Sequence, residues 1–113
     1  MPGFTTIVAP VRDLDAAKAI YTALLGVEPH TDEKFYVGYN VDGCEFGLNP
    51  VGFAQGETGP LAFVDVDDID AMVATLVAAG ATVASEPADV GGGAKIAVLT
   101  DTDGNRFGLR SAS

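Results

Sequence analysis

The sequence predicts an α+β fold made from two copies of one strand–helix–strands unit. Three observations predict it. Strand-like and helix-like segments follow one another in the same order twice. The motif DGxxFGL occurs once in each half, as residues 42–48 and again as residues 103–109. Between the halves lies a stretch, residues 50–59, that carries three glycines and is bounded by Pro50 and Pro60. A chain of 113 residues has room for one domain. The expected organisation is therefore a single domain, with a first module over 1–49, a linker over 50–59 and a second module over 60–113.

In the first module, Phe4 to Ala9 (FTTIVA) is apolar and β-branched and reads as a strand ended by Pro10. Asp13 opens a helix, because its carboxylate can accept the orphan N–H groups of the first turn. Leu14, Ala17, Tyr21, Leu24 and Leu25 are expected on its buried face. Gly26 closes it, since only glycine adopts the left-handed terminal conformation cheaply. A short strand is expected at Val27 to Glu28, then a polar turn from His30 to Glu33. Lys34 to Val41 (KFYVGYNV) reads as a strand, Asp42-Gly43 as a hairpin turn and Cys44 to Asn49 as the return strand.

The second module repeats this order. Leu61 to Val66 is a strand, and Asp68 caps a helix whose apolar face is Ile69, Met72, Val73, Leu76 and Ala79. Gly80 stops it. Thr82 to Ser85 is expected as a short strand and Pro87 to Gly93 as a loop. The Gly91-Gly92-Gly93 run reads either as a flap or as a hairpin connection. No Lys-Ser/Thr and helix follow it, so it is no phosphate loop. Ala94 to Thr100 is a strand, and Asp103-Gly104 turns the chain into a last strand, Asn105 to Arg110.

Sixteen acidic against six basic residues give a net charge of −10. That balance disfavours nucleic acid, whose phosphates need a basic patch, and disfavours an acidic membrane surface. It suits solubility and attracts cations. There is no apolar run of membrane-spanning length and no charged-then-apolar leader, so a cytoplasmic location is expected. The lone Cys44 excludes an internal disulfide. Its strand parity, shared with Phe46 and Leu48, predicts a small buried core residue.

One helix covers one face of each small sheet, and the other face is left mixed and Gly-rich. Strand alternation assigns residues to that second face. In the last strand these are Arg106, Gly108 and Arg110, and by the repeat Glu45, Gly47 and Asn49. Thr6 and Val8 in the first strand join them, as do Leu61, Phe63 and Asp65 in the fifth. Glu45 and Asp65 are a possible acid–base pair, and pairing with Arg106 or Arg110 is the expected use. His30, the one histidine, is read as solvent-exposed in a polar turn, and the sequence assigns it to no Ser-His-Asp arrangement.

The VRDLD…LLG segment of the first half and the closing DTDGNRFGL segment resemble the vicinal oxygen chelate superfamily. That family includes glyoxalase I, extradiol dioxygenases, fosfomycin-resistance enzymes and bleomycin-resistance proteins. The resemblance covers nearly the whole chain. It implies two βαβββ modules forming an open, U-shaped mixed β-sheet around a cavity, with helices on the outer face, commonly as a homodimer. Enzymes of the family hold a divalent metal through a first-strand His or Gln in each module and a closing-strand Glu. The matching positions here are Thr6 and Leu61, Gly47 and Gly108. A hydroxyl without charged partners binds such metals poorly, and leucine and glycine side chains not at all.

The expected function is metal-independent binding or sequestration of a small molecule, of the glyoxalase/bleomycin-resistance-like kind, with no cofactor. Ten of the eleven residues assigned to the second face are the expected cavity residues: Thr6, Val8, Glu45, Gly47, Leu61, Phe63, Asp65, Arg106, Gly108 and Arg110. No catalytic residue is assigned. The acidic surface favours a cationic ligand and the two arginines an anionic one, so the ligand's charge stays open. The alternatives are a glyoxalase- or dioxygenase-like enzyme with non-standard or no metal ligands, and a non-catalytic dimerisation or regulatory module.

Overall fold

The computed structural model describes residues 3–112. The elements follow the order β1 (Phe4–Pro10), α1 (Leu14–Leu25), β2 (Thr31–Glu33), β3 (Tyr36–Val41), β4 (Cys44–Asn49), β5 (Leu61–Asp65), α2 (Ile69–Ala78), β6 (Thr82–Gly91), β7 (Ala94–Thr100) and β8 (Arg106–Ser111). Each half is thus a βαβββ module in a mixed α+β fold. Two compact units form, one over Thr5–Leu61 and one from Ala62 onward that also gathers Phe4.

In the first unit the strands lie in the order β2-β3-β4-β1. β1 runs parallel to β4, with Thr6 opposite Glu45 and Val8 opposite Gly47. β3 pairs antiparallel with both β4 and β2. The expected cap is present: Asp13 accepts the N–H of Ala16, and Gly26 closes α1 at φ +72°. One face of the sheet packs on α1 through Ala9, Val37, Tyr39 and Leu48, against Leu14, Ala17, Tyr21, Leu25 and Phe46. The Tyr21 and Phe46 rings meet at 4.7 Å. Tyr39 is fully buried, and its hydroxyl donates to the Lys18 carbonyl and shares a 2.8 Å hydrogen bond with Thr22 Oγ1. The buried phenol therefore costs little.

Several expectations are corrected here. Val27-Glu28 is not a strand; the short strand is Thr31–Glu33, where a turn was expected, and Lys34-Phe35 form the turn into β3. The polar β2 is stabilised from outside its own sequence, by β3 and by the Lys18 ammonium, which donates to Asp32. That hydrogen bond is the largest reason that the Lys18 ammonium is held above its ordinary value of 10.5. Leu24 is 70% exposed, because the 14–17–21–25 stripe turns it away from the sheet. Cys44 is exposed rather than buried, since it opens β4 beside the Asp42-Gly43 turn, beyond the reach of α1.

In the second unit the order is β5-β8-β7-β6, with β5 parallel to β8 and the remaining neighbours antiparallel. Asp68 caps α2 by accepting the N–H of Ala71. Ile69, Ala97, Leu99 and Leu109 form the core, with Met72, Val73, Leu76 and Phe107 packed against it. Ala79 lies outside that face, exposed at the helix end. The expected short strand and loop are in fact one ten-residue strand, β6, with register shifts along its pairing to β7. Gly91 still pairs with Ala94, and Gly91, Gly92 and Gly93 all take positive φ, so the glycine run is a hairpin connection.

Candidate functional site

The helix-free face of the first module gathers a polar network over a floor of two glycines. Gly38 and Gly47 are register partners across β3 and β4. A side chain at either would force its neighbours to shift. A Cβ on Gly47 would meet the Tyr36 ring and hydroxyl at 2.3–2.6 Å, and one on Gly38 would lie 2.5 Å from Glu45 Oε2. The floor lets the Tyr36 ring lie flat across the sheet and brings Glu45 beneath its hydroxyl. Tyr36 Oη–H donates to Glu45 Oε2 at 2.8 Å. Glu45 Oε1 lies 2.7 Å from His30 Nε2, and His30 Nδ1 lies 2.8 Å from Thr31 Oγ1. The His30 side chain is 47% exposed and that of Glu45 23%.

Thr6 and Val8, half-buried, share this face by register with Glu45 and Gly47. Glu45 lies on the helix-free face, and its partners there are His30 and Tyr36 rather than an arginine. His30 is exposed as expected, but it is a member of the network rather than a solvated turn residue. His30, Thr31, Tyr36 and Gly38 were not among the expected site residues. The parity shared by Tyr36 and Gly38 was a readable signal for two of them. His30 and Thr31 carried none, because the bend before β2 sets their direction.

The helix-free face of the second module is apolar at its centre. Leu61, Phe63 and Val98 are each only 6% exposed, and none belongs to the core under α2. Phe63 lies over Gly108, its register partner, where a Cβ would meet the ring at 2.2–2.8 Å. The two closing-strand glycines thus sit beneath aromatic rings of their own modules. At these two points the rings fill the space next to the backbone. Asp65 approaches Arg110 at 3.7 Å with both side chains well exposed, a pairing that contributes little to stability. Arg106 opens β8 and is exposed yet engaged with a partner.

The donor set does not fit a divalent metal. Thr6, Gly47, Leu61 and Gly108 offer one hydroxyl and no imidazole, carboxylate or thiolate. Among the described residues, no three of His, Cys, Asp and Glu gather where an ion could sit. At Gly47 and Gly108 the place of a ligating side chain is taken by Tyr36 and Phe63.

Residues 3–109 match the profile of the Glyoxalase/Bleomycin resistance protein/Dioxygenase superfamily, and the chain belongs to that family. A curated relative named "Putative glyoxylase CFP32", in Mycobacterium bovis and Mycobacterium tuberculosis, is 33% identical over 101 residues. The match takes 84% of this chain and 38% of the relative, so this chain spans about two fifths of the length of that protein. Among solved structures, a superfamily member from Vibrio splendidus superposes at a TM-score of 0.73 with 16% identity, covering 98% of both chains. The Mn(II)-bound glyoxalase from Novosphingobium aromaticivorans superposes at 0.69 with 24% identity, covering 99% of this chain and 40% of that one. At these identities the superpositions establish the fold.

Proposed function

We propose that this chain binds a small organic molecule without a metal, using the helix-free faces of its sheets. One observation carries the reading. The closing-strand positions that hold a carboxylate in metal-dependent relatives are glycines under the chain's own aromatic rings, so a half-buried Tyr36 and a buried Phe63 stand where metal donors would. Aromatic surface with a few fixed polar groups is the make-up of a small-molecule site. The first module supplies Tyr36, Glu45 and His30, and the second supplies Leu61 and Phe63 with Asp65 and Arg110. A ligand with an apolar body and at least one hydrogen-bonding group matches either surface taken by itself, and drug sequestration is the corresponding role.

The test is a thermal-shift screen of antibiotics and metabolites followed by calorimetry, each with and without EDTA. A true ligand at a hundredfold excess over Kd is expected to stabilise the protein by about 2.7 kcal/mol. Chelator leaves Kd unchanged, and Phe63→Ala weakens binding. A screen without a binder, or binding that disappears in EDTA, refutes the reading.

A further inference from the structure

We propose that the first module carries a metal-free acyl-transfer centre, with Thr31 as nucleophile, His30 as its base and Glu45 as the group that positions the base. The substrates are small activated esters. The centre does not rest on the ligand-binding reading, and either can fail without the other.

The three groups form a hydroxyl–imidazole–carboxylate series in space. Thr31 Oγ1 is 2.8 Å from His30 Nδ1, and His30 Nε2 is 2.7 Å from Glu45 Oε1. Both separations lie within the range for a nucleophile and its base, and for the base and its orienting group. The hydrogens have one consistent assignment for a resting base. The Thr31 hydroxyl donates to Nδ1, Nε2–H donates to Glu45 Oε1, and Tyr36 Oη–H donates to Oε2. The imidazole is then neutral, with its lone pair aimed at the nucleophile. The carboxylate is held at both oxygens and cannot turn away.

The backbone fixes the same geometry. His30 N–H donates to the Gly38 carbonyl at 2.9 Å, and Thr31 is the register partner of Gly38. Both reacting residues are thereby tied to one residue of β3. The missing Cβ at Gly38 matters again, since a Cβ there would lie 3.1 Å from His30 Nε2. Thr31 is half-buried and His30 half-exposed, which leaves a small ester a path to both.

The chemistry balances with water as the only co-reactant. Thr31 Oγ1 bonds to the ester carbonyl carbon as its proton passes to His30 Nδ1. The ester C–O bond breaks, and the alcohol leaves with that proton. Water attacks the acyl-threonine and gives a proton to His30. The carboxylic acid departs as Thr31 Oγ1 recovers that proton.

The experiment is hydrolysis of p-nitrophenyl acetate by the full chain, with mass spectrometry of the acylated protein. The expected result is release of p-nitrophenol and an acetyl group on Thr31. Thr31→Val and His30→Gln each lower the rate by about 10²-fold or more, and Thr31→Ser retains it. Glu45→Gln and Tyr36→Phe act through His30 and lower kcat with KM unchanged. A parent-like rate in Thr31→Val overturns the proposal, as does acetyl found on Lys18 or Lys34 and not on Thr31. Should Thr31→Val fail to fold, the position of the acetyl group decides alone.

Discussion

At the scale of single residues, the glycines of the closing strands govern the faces they lie in. Gly108 is buried because the Phe63 ring covers it. Gly108→Ala is expected to destabilise the protein by about 1–3 kcal/mol, the usual cost of overpacking. Phe63→Leu in the same chain should recover part of the loss, and urea denaturation of the two variants measures it. The sequence placed Gly47 and Gly108 on the helix-free face through alternation alone. It was silent on the rings above them, because a ring's direction depends on which neighbouring strand lacks a Cβ.

Asp101 makes a second residue-scale prediction. The Asn105 side-chain amide, followed by the Asn105 and Asp103 backbone N–H groups, holds its carboxyl below the ordinary 3.8. A carboxyl lowered in the folded state contributes stability above its unfolded value, and the contribution fades as pH falls through the folded value. Asp101→Asn, which mimics the protonated acid, should therefore be less stable than the parent at neutral pH. The gap should close at pH values below the ordinary carboxylate range. Thermal melts across pH read this directly.

At the scale of elements, both helices were legible to their first residue. Asp13 and Asp68 are separated from their helices by nothing, and a capping carboxylate acts within one turn. The outer strands were misread for the opposite reason. β6 contains Pro87 and three acidic or small polar interruptions, a composition that argues against a central strand. It lies at the end of its sheet, paired with β7, where a missing N–H and a bulge are tolerated. β2 is likewise an end strand, built from Thr31, Asp32 and Glu33. For α1 the stripe assignment predicts opposite outcomes for its outer side and for the sheet it covers. Ile20→Lys and Leu24→Lys, at residues 64% and 70% exposed, should change stability by no more than about 0.5 kcal/mol. Leu48→Ala, fully buried against the helix, should cost about 2–5 kcal/mol. Chemical denaturation of the three variants separates the two faces.

At the scale of the whole molecule, a charge of −10 on 113 residues sets up self-repulsion that salt screens. Raising salt from about 0.01 M to about 1 M shortens the screening length roughly tenfold and should raise Tm. A Tm that falls instead would mean that ion pairs such as Lys18–Asp32 outweigh the repulsion. Dialysis against EDTA should leave Tm unchanged, because no donor set among the described residues fits a resident divalent ion. No helix among the described residues is long and apolar enough to cross a membrane.

The sequence by itself determined the duplicated βαβββ plan, the two capped helices, the face on which Glu45, Gly47, Phe63 and Gly108 lie, and the absence of metal donors at the family's positions. Each of these follows from local chemistry: a cap within one turn, a period of two along a strand, a side chain that has or lacks a donor atom. Tertiary structure alone decided what replaced the metal donors. It laid Tyr36 over Gly38 and Gly47 and Phe63 over Gly108, and it joined Thr31, His30, Glu45 and Tyr36 into one hydrogen-bonded series. Those contacts link β2, β3 and β4 in one module and β5 and β8 in the other, strands whose register is set by pairing across the sheet and is written in no single stretch of the chain.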